Sequence, residues 1–127
     1  MGNVIFTSML NLEEFRNYCL AMPGVTEELP FGPDTLVFKV MGKIFALTGL
    51  DNETFSMNLK YSSEEIEELR SKHVAITAGY HMNKNHWNTV LVDGSISKKE
   101  LLQLIDISYQ LIVSGLPKKL QAELKAL

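Results

Sequence analysis

The stretch Gly79 to Val92 reads Gly-Tyr-His-Met-Asn-Lys-Asn-His-Trp-Asn-Thr-Val-Leu-Val. It gathers two of the three histidines, the only tryptophan, three asparagines and a lysine ahead of a short apolar run. Lys84, His81, His86, Asn83, Asn85 and Asn88 are suited to phosphate oxygens or base edges, and Tyr80 and Trp87 offer stacking faces. Lys60, Lys118 and Lys119 add charge if the fold brings them near. A structural reading stands beside this one. Trp87 opens an apolar run and serves as a core anchor with its indole N–H satisfied. Asparagine side chains commonly pin loop backbone.

The same residues offer little to catalysis. His81 and His86 are five apart with His73 upstream, and no cluster of Cys or His completes a zinc set. Hydrogen-bonded or exposed imidazoles are the simpler expectation, so no metal and no cofactor is expected. There is no Gly-x-Ser-x-Gly elbow and no phosphate-binding loop. Ser108 falls on the core face of a predicted helix, and nothing in the spacing joins Cys19 to His81. Glu27 and Glu28 are adjacent on a predicted strand and so point to opposite sides. Asp34 follows Pro33 and shapes a turn. The protein is therefore expected not to be an enzyme. A histidine general base is the last-ranked reading, because no partner group accompanies it.

Composition sets the frame for these residues. The chain has 127 residues, of which 46% are hydrophobic and 21% charged, so it folds as one domain spanning residues 1–127. A net charge of −3 weighs against strong nonspecific nucleic-acid binding, so any phosphate contact has to be local. No apolar run reaches the ~18 residues of a membrane span, and the N-terminus lacks a signal-peptide pattern. One cysteine, Cys19, excludes an internal disulfide and fits a reducing, cytoplasmic setting with no membrane partner. The oligomeric state is left open, with a monomer as the starting point.

The elements follow from pattern. Asn11 with Glu14 reads as a capping box, and Leu12, Phe15, Cys19 and Met22 recur at helical spacing until Pro23-Gly24. Val25 to Phe31 is a weak strand that Pro30 assigns to an edge. Alternation over Leu36 to Val40, Lys43 to Leu47 and Phe55 to Lys60 predicts three strands in an antiparallel meander, with Met41-Gly42 as a hairpin turn. Ser62 with Glu65 reads as a second capping box, opening a polar helix that runs to about Lys72 and buries Ile66 and Leu69. A short extended piece near Val74–Ala78 and a strand from Trp87 to Val92 flank the polar loop. Ser97 with Glu100 starts a long central helix. Leu101, Leu104, Ile105, Ser108, Leu111 and Ile112 face its core side, and Leu102 and Ile107 widen the stripe. Gly115-Leu116-Pro117 ends it before a short amphipathic tail from Lys118.

Three blocks of this sequence resemble the MmcQ/YjbR family of small bacterial proteins. The first joins Pro23-Gly24-Val25-Thr26-Glu27 and Pro30-Phe31-Gly32-Pro33-Asp34 to Val37-Phe38-Lys39-Val40 and Gly42-Lys43. The second is Gly79-Tyr80-His81-Met82-Asn83-Lys84 with His86-Trp87-Asn88-Thr89-Val90. The third is Ser108-Tyr109 with Leu116-Pro117-Lys118-Lys119. Ala78 stands where the family pattern usually has Pro, and Asn85 where it usually has Lys, which removes a positive charge from the loop. The resemblance implies an α+β, CyaY-like fold, with an antiparallel sheet and helices packed on one face. It also implies a DNA-binding function of double-wing type, using the exposed sheet face and its hairpins. The candidate nucleic-acid contacts are Lys60, Tyr80, His81, Asn83, Lys84, His86, Trp87, Asn88 and Lys118. A frataxin-like fold also suggests iron, but Glu13 and Glu14 are too few acids for an iron-binding ridge on the first helix. The alternative is a non-enzymatic small-ligand or protein-interaction module on the same sheet face.

Overall fold

The computed structural model of the protein describes residues 9–79 and 82–127. Its elements run α1 (Leu12–Leu20), β1 (Val25–Glu28), β2 (Thr35–Val40), β3 (Lys43–Gly49), β4 (Ser56–Lys60), α2 (Ile66–Lys72), β5 (Ile76–Ala78), β6 (Trp87–Leu91), α3 (Lys98–Ser114) and α4 (Lys118–Lys125). The strands form one antiparallel sheet in the order β1-β2-β3-β4-β6-β5. This is the α+β architecture expected, and β1, with Pro30 just beyond it, is an edge strand.

Local chemistry accounts for most of the joints. Met41 (φ +49°) and Gly42 (φ +86°) both adopt left-handed backbone and leave Val40 opposite Lys43. Positive φ at both central residues is the signature of a two-residue hairpin turn whose twist matches its strands. α1 begins on a complete capping box: the Asn11 side chain accepts from Glu14 N–H and the Glu14 carboxylate accepts from Asn11 N–H. α2 starts later than the Ser62 pattern suggests. Ser62 to Glu65 forms a turn in which Glu65 N–H donates to the Ser62 carbonyl, and the helix opens at Ile66 with no side-chain cap. α3 has half a capping box. Ser97 accepts from Glu100 N–H, but the Glu100 carboxylate is 2.8 Å from His73 Nε2 and ties α3 to the end of α2.

The helices lie on one face of the sheet. Phe15 of α1 meets Phe38 edge-on, Tyr109 of α3 meets Phe45 edge-on, and Leu69 of α2 and Leu124 of α4 join the same core. The core also takes Met57, Leu59, Ile76, Val90, Leu101, Leu104 and Ile105. Ile107 is the exception to the predicted α3 stripe: it is exposed, and Tyr109 is buried beside Ser108 instead. No described helix covers the opposite face. By register it carries Val37, Leu47, Asn58 and Thr89 in one row and Lys60 with Trp87 in the next.

The pairing of β2 with β3 is irregular near Phe45. Phe38 pairs with Ala46 but Lys39 pairs with Ile44, so Phe45 is an extra, unopposed residue in β3. Such a bulge lets two successive side chains reach the same side, and Phe45 and Ala46 are both fully buried in the core. The ladder between β3 and β4 stops at Ala46–Leu59. Beyond it the Ser108 hydroxyl is inserted from α3, donating to the Phe45 carbonyl and accepting from Lys60 N–H at 2.8 Å. The buried serine thus replaces a strand-to-strand hydrogen bond beside Lys60.

Candidate nucleic-acid interface

Lys60 ends β4 and Trp87 begins β6, and the two are direct cross-strand partners. Their neighbours settle which way they point. Leu59 is packed in the core and Asn88 meets Arg70 of α2 on the helix side, so Lys60 and Trp87 point to the face without helices. Both are half-buried. Trp87 is therefore a surface-facing aromatic packed along the sheet, not the core anchor that an apolar strand start suggests. On the same face Thr89 Oγ1 donates to Asn58 Oδ1 at 2.7 Å, and Lys39 pairs with Glu28 at 2.9 Å.

A tight turn leads into Trp87. Asn83 is its pivot: its carbonyl accepts from the N–H groups of His86 and Trp87, and its side-chain oxygen accepts from Asn85 N–H at 2.9 Å. Asn83 is exposed, but its carbonyl oxygens serve the turn first. Lys84 projects at the exposed tip. His86 is half-buried, and its carbonyl accepts from Tyr61 N–H just past β4. The turn is thereby joined to the end of the strand that carries Lys60. Tyr80 and His81 lie outside the described residues.

The turn is held from below by Arg70. Its side chain is 15% exposed. Nε donates to Asn88 Oδ1 at 2.7 Å, Nη2 to the carbonyls of Lys84 and of Trp87, and Nη1 to the exposed Glu67 carboxylate at 2.9 Å. A guanidinium suits this task because its fixed fork serves several acceptors at once. The sequence reading of this helix as polar, with only Ile66 and Leu69 buried, gave Arg70 no role. The signal was present, since Ile66, Leu69, Arg70 and His73 follow the spacing of one helical stripe, whose two apolar members are buried.

Two proposed contacts need correction. Asn88 is 1% exposed, points toward the helices and accepts from Arg70, so it organises the turn and offers no edge to a nucleic acid. Lys118 is exposed at the start of α4, but that helix is anchored through Leu124 beside Gly24, where β1 begins. Strands β2, β3 and β4 separate that edge from β6, into which the Lys84 turn leads. The structure thus brings together Lys60, Trp87, His86, Lys84 and Asn83, with Asn88 beneath them and Lys118 apart. Among the described residues no three His, Cys, Asp or Glu side chains converge as a metal site would require. No described helix is long and apolar enough to cross a membrane.

Known proteins resemble this chain over most of its length. The YjbR family model matches residues 20–111. The chain is 33% identical over 110 residues to the uncharacterised protein YjbR of Escherichia coli K12, covering 87% of this chain and 93% of that one. It is 36% identical over 113 residues to the uncharacterised protein YbdF of Escherichia coli O157:H7, covering 89% and 93%. The crystal structure of Deinococcus radiodurans protein DR2400, a DUF419 domain, superposes with a TM-score of 0.85 at 37% identity, over 92% of this chain and 89% of that one. A crystal structure from Pseudomonas syringae gives a TM-score of 0.69 at 32% identity, over 80% of this chain and 98% of that one.

Proposed function

This chain belongs to the YjbR family, and from that premise we propose that it is a non-catalytic cytoplasmic protein that binds DNA through the sheet face opposite its helices. The observation that carries the reading is the cross-strand pair Lys60–Trp87 on that face, next to a turn with Lys84 exposed at its tip. A cation and an aromatic plane on adjacent strands suit a sugar–phosphate chain, one neutralising a phosphate and the other packing on sugar or base. With a net charge of −3, attraction rests on the few cations gathered here and not on the molecule as a whole. The affinity should therefore depend on salt with a shallow slope, as for about two or three phosphate contacts.

The test is a fluorescence-anisotropy titration of labelled duplex DNA at low and moderate salt, with wild type beside Lys84→Ala. Binding that weakens in the variant, with a salt slope shallower by about one, supports a phosphate contact at the turn. Absence of binding at low salt, where attraction is strongest, defeats the reading. A second reading, a small-ligand or protein partner on the same face, draws on two features there. Glu28 already neutralises Lys39, and the half-buried Leu47 adds apolar surface in the next strand. Binding of that kind would change little with salt.

A further inference from the structure

We propose that Arg70 is the positioning residue of this interface: it touches no ligand, yet it sets the conformation in which the turn presents Lys84 and Trp87. The inference rests on the DNA-binding reading, because it assigns Arg70 a role in that site. Arg70 comes from α2 on the helix side of the sheet, whereas Lys60 and Trp87 face the other side. Its guanidinium is nonetheless the meeting point of the turn. It binds the carbonyl at the turn's tip, the carbonyl at its exit and the side chain of the first residue beyond it. Those acceptors belong to Lys84, Trp87 and Asn88, so two positions of the interface and the buried residue beneath them share one donor group. Glu67 holds the remaining edge of the guanidinium and fixes its plane. A loop ordered before binding does not lose that freedom on binding, which raises affinity without adding a contact.

Lysine is the discriminating substitution, because it keeps the charge and loses the planar fork. Two readouts apply to Arg70→Lys. The first is amide hydrogen exchange at His86 and Trp87, whose N–H groups close the turn on Asn83, with Phe38 and Ala46 of the sheet as internal references. Exchange in the turn should accelerate about tenfold while the references stay unchanged, as expected when one local unit opens independently of the core. The second is the DNA titration. Affinity should fall about tenfold with the salt slope unchanged, in contrast to the shallower slope of Lys84→Ala.

Unchanged turn exchange in Arg70→Lys overturns the proposal, whatever the DNA result. Unchanged affinity beside wild-type binding overturns it too, since a lysine would then serve as well as the fork. If wild type binds no DNA, the functional reading fails by itself, and the exchange experiment still decides whether Arg70 orders the turn. Should Arg70→Lys fail to fold, Glu67→Gln loosens the same guanidinium from an exposed position. Its turn amides should then exchange two- to threefold faster, and no acceleration counts against the clamp.

Discussion

Ser108 shows how much one hydroxyl can hold in this structure. It is fully buried, donates to the Phe45 carbonyl at the β2–β3 bulge and accepts from Lys60 N–H where the β3–β4 ladder has stopped. Ser108→Ala removes both partners at once and leaves two backbone groups without a protein partner. A buried unsatisfied group costs roughly 1–3 kcal/mol, so the variant should lose about 2–4 kcal/mol. Ser114→Ala, on the exposed end of the same helix, should change stability by less than about 0.5 kcal/mol. Urea unfolding of both variants checks the contrast, and equal midpoints would show that water replaces the serine at no cost. The sequence placed Ser108 on a core face, and a polar residue within an apolar stripe signals a partner. The partner itself was not legible, because it depends on a bulge created by packing between strands. Arg70 repeats the lesson: its stripe could be read, but not its three acceptors in β6 and the turn before it.

At the scale of elements, α4 depends on the absence of a side chain at Gly24. That residue has φ +73°, and a Cβ there would stand 2.6 Å from Leu124 Cδ1 and 3.2 Å from Met41 Sδ. Gly24→Ala therefore meets both a left-handed backbone and an occupied space, while Leu124 is the buried contact of α4. Strain and overpacking of this kind cost about 1–3 kcal/mol together. The expected outcome is a lower urea midpoint with an unchanged m-value, since the two-state unit stays whole. Gly42→Ala separates the two causes: its φ is +86° but nothing lies within 4 Å of the added carbon. It should cost about 1 kcal/mol from backbone strain alone. If both variants lose the same stability, the Leu124 contact carries no weight. The elements themselves were the most readable level. The meander, its Met41-Gly42 turn, the α1 capping box and the β1 edge follow from alternation, capping and turn chemistry. Ser62 and Ile107 did not behave as patterned. Ser62 heads a turn whose hydrogen bonds run through backbone, and α3 settles its outer side by rotating Tyr109 onto Phe45.

At the scale of the whole molecule, three ion pairs tie α1 to α3, α1 to β1 and β1 to β2, and they give stability a pH dependence of definite sign. Glu14 is held below the usual carboxylate range by a hydrogen bond from Lys98 at the start of α3. Glu27 is lowered by the Arg16 guanidinium of α1, and Glu28 by Lys39 of the neighbouring strand. All three therefore release their protons more readily in the folded chain than in the unfolded one, where the value is near 4.5. Between the folded and unfolded values the unfolded state binds more protons. Stability is thus fully present above about pH 4.5 and is lost as pH falls through the folded values. The urea midpoint should fall steadily as pH drops from about 5 to about 3. The pairs lie near the surface, so concentrated salt should flatten part of that slope by screening. Glu14→Gln should flatten part of it at low salt, because one of the three carboxylates no longer titrates. A midpoint that stays level from about pH 5 to about pH 3 would mean that these pairs contribute nothing measurable, as exposed pairs often do.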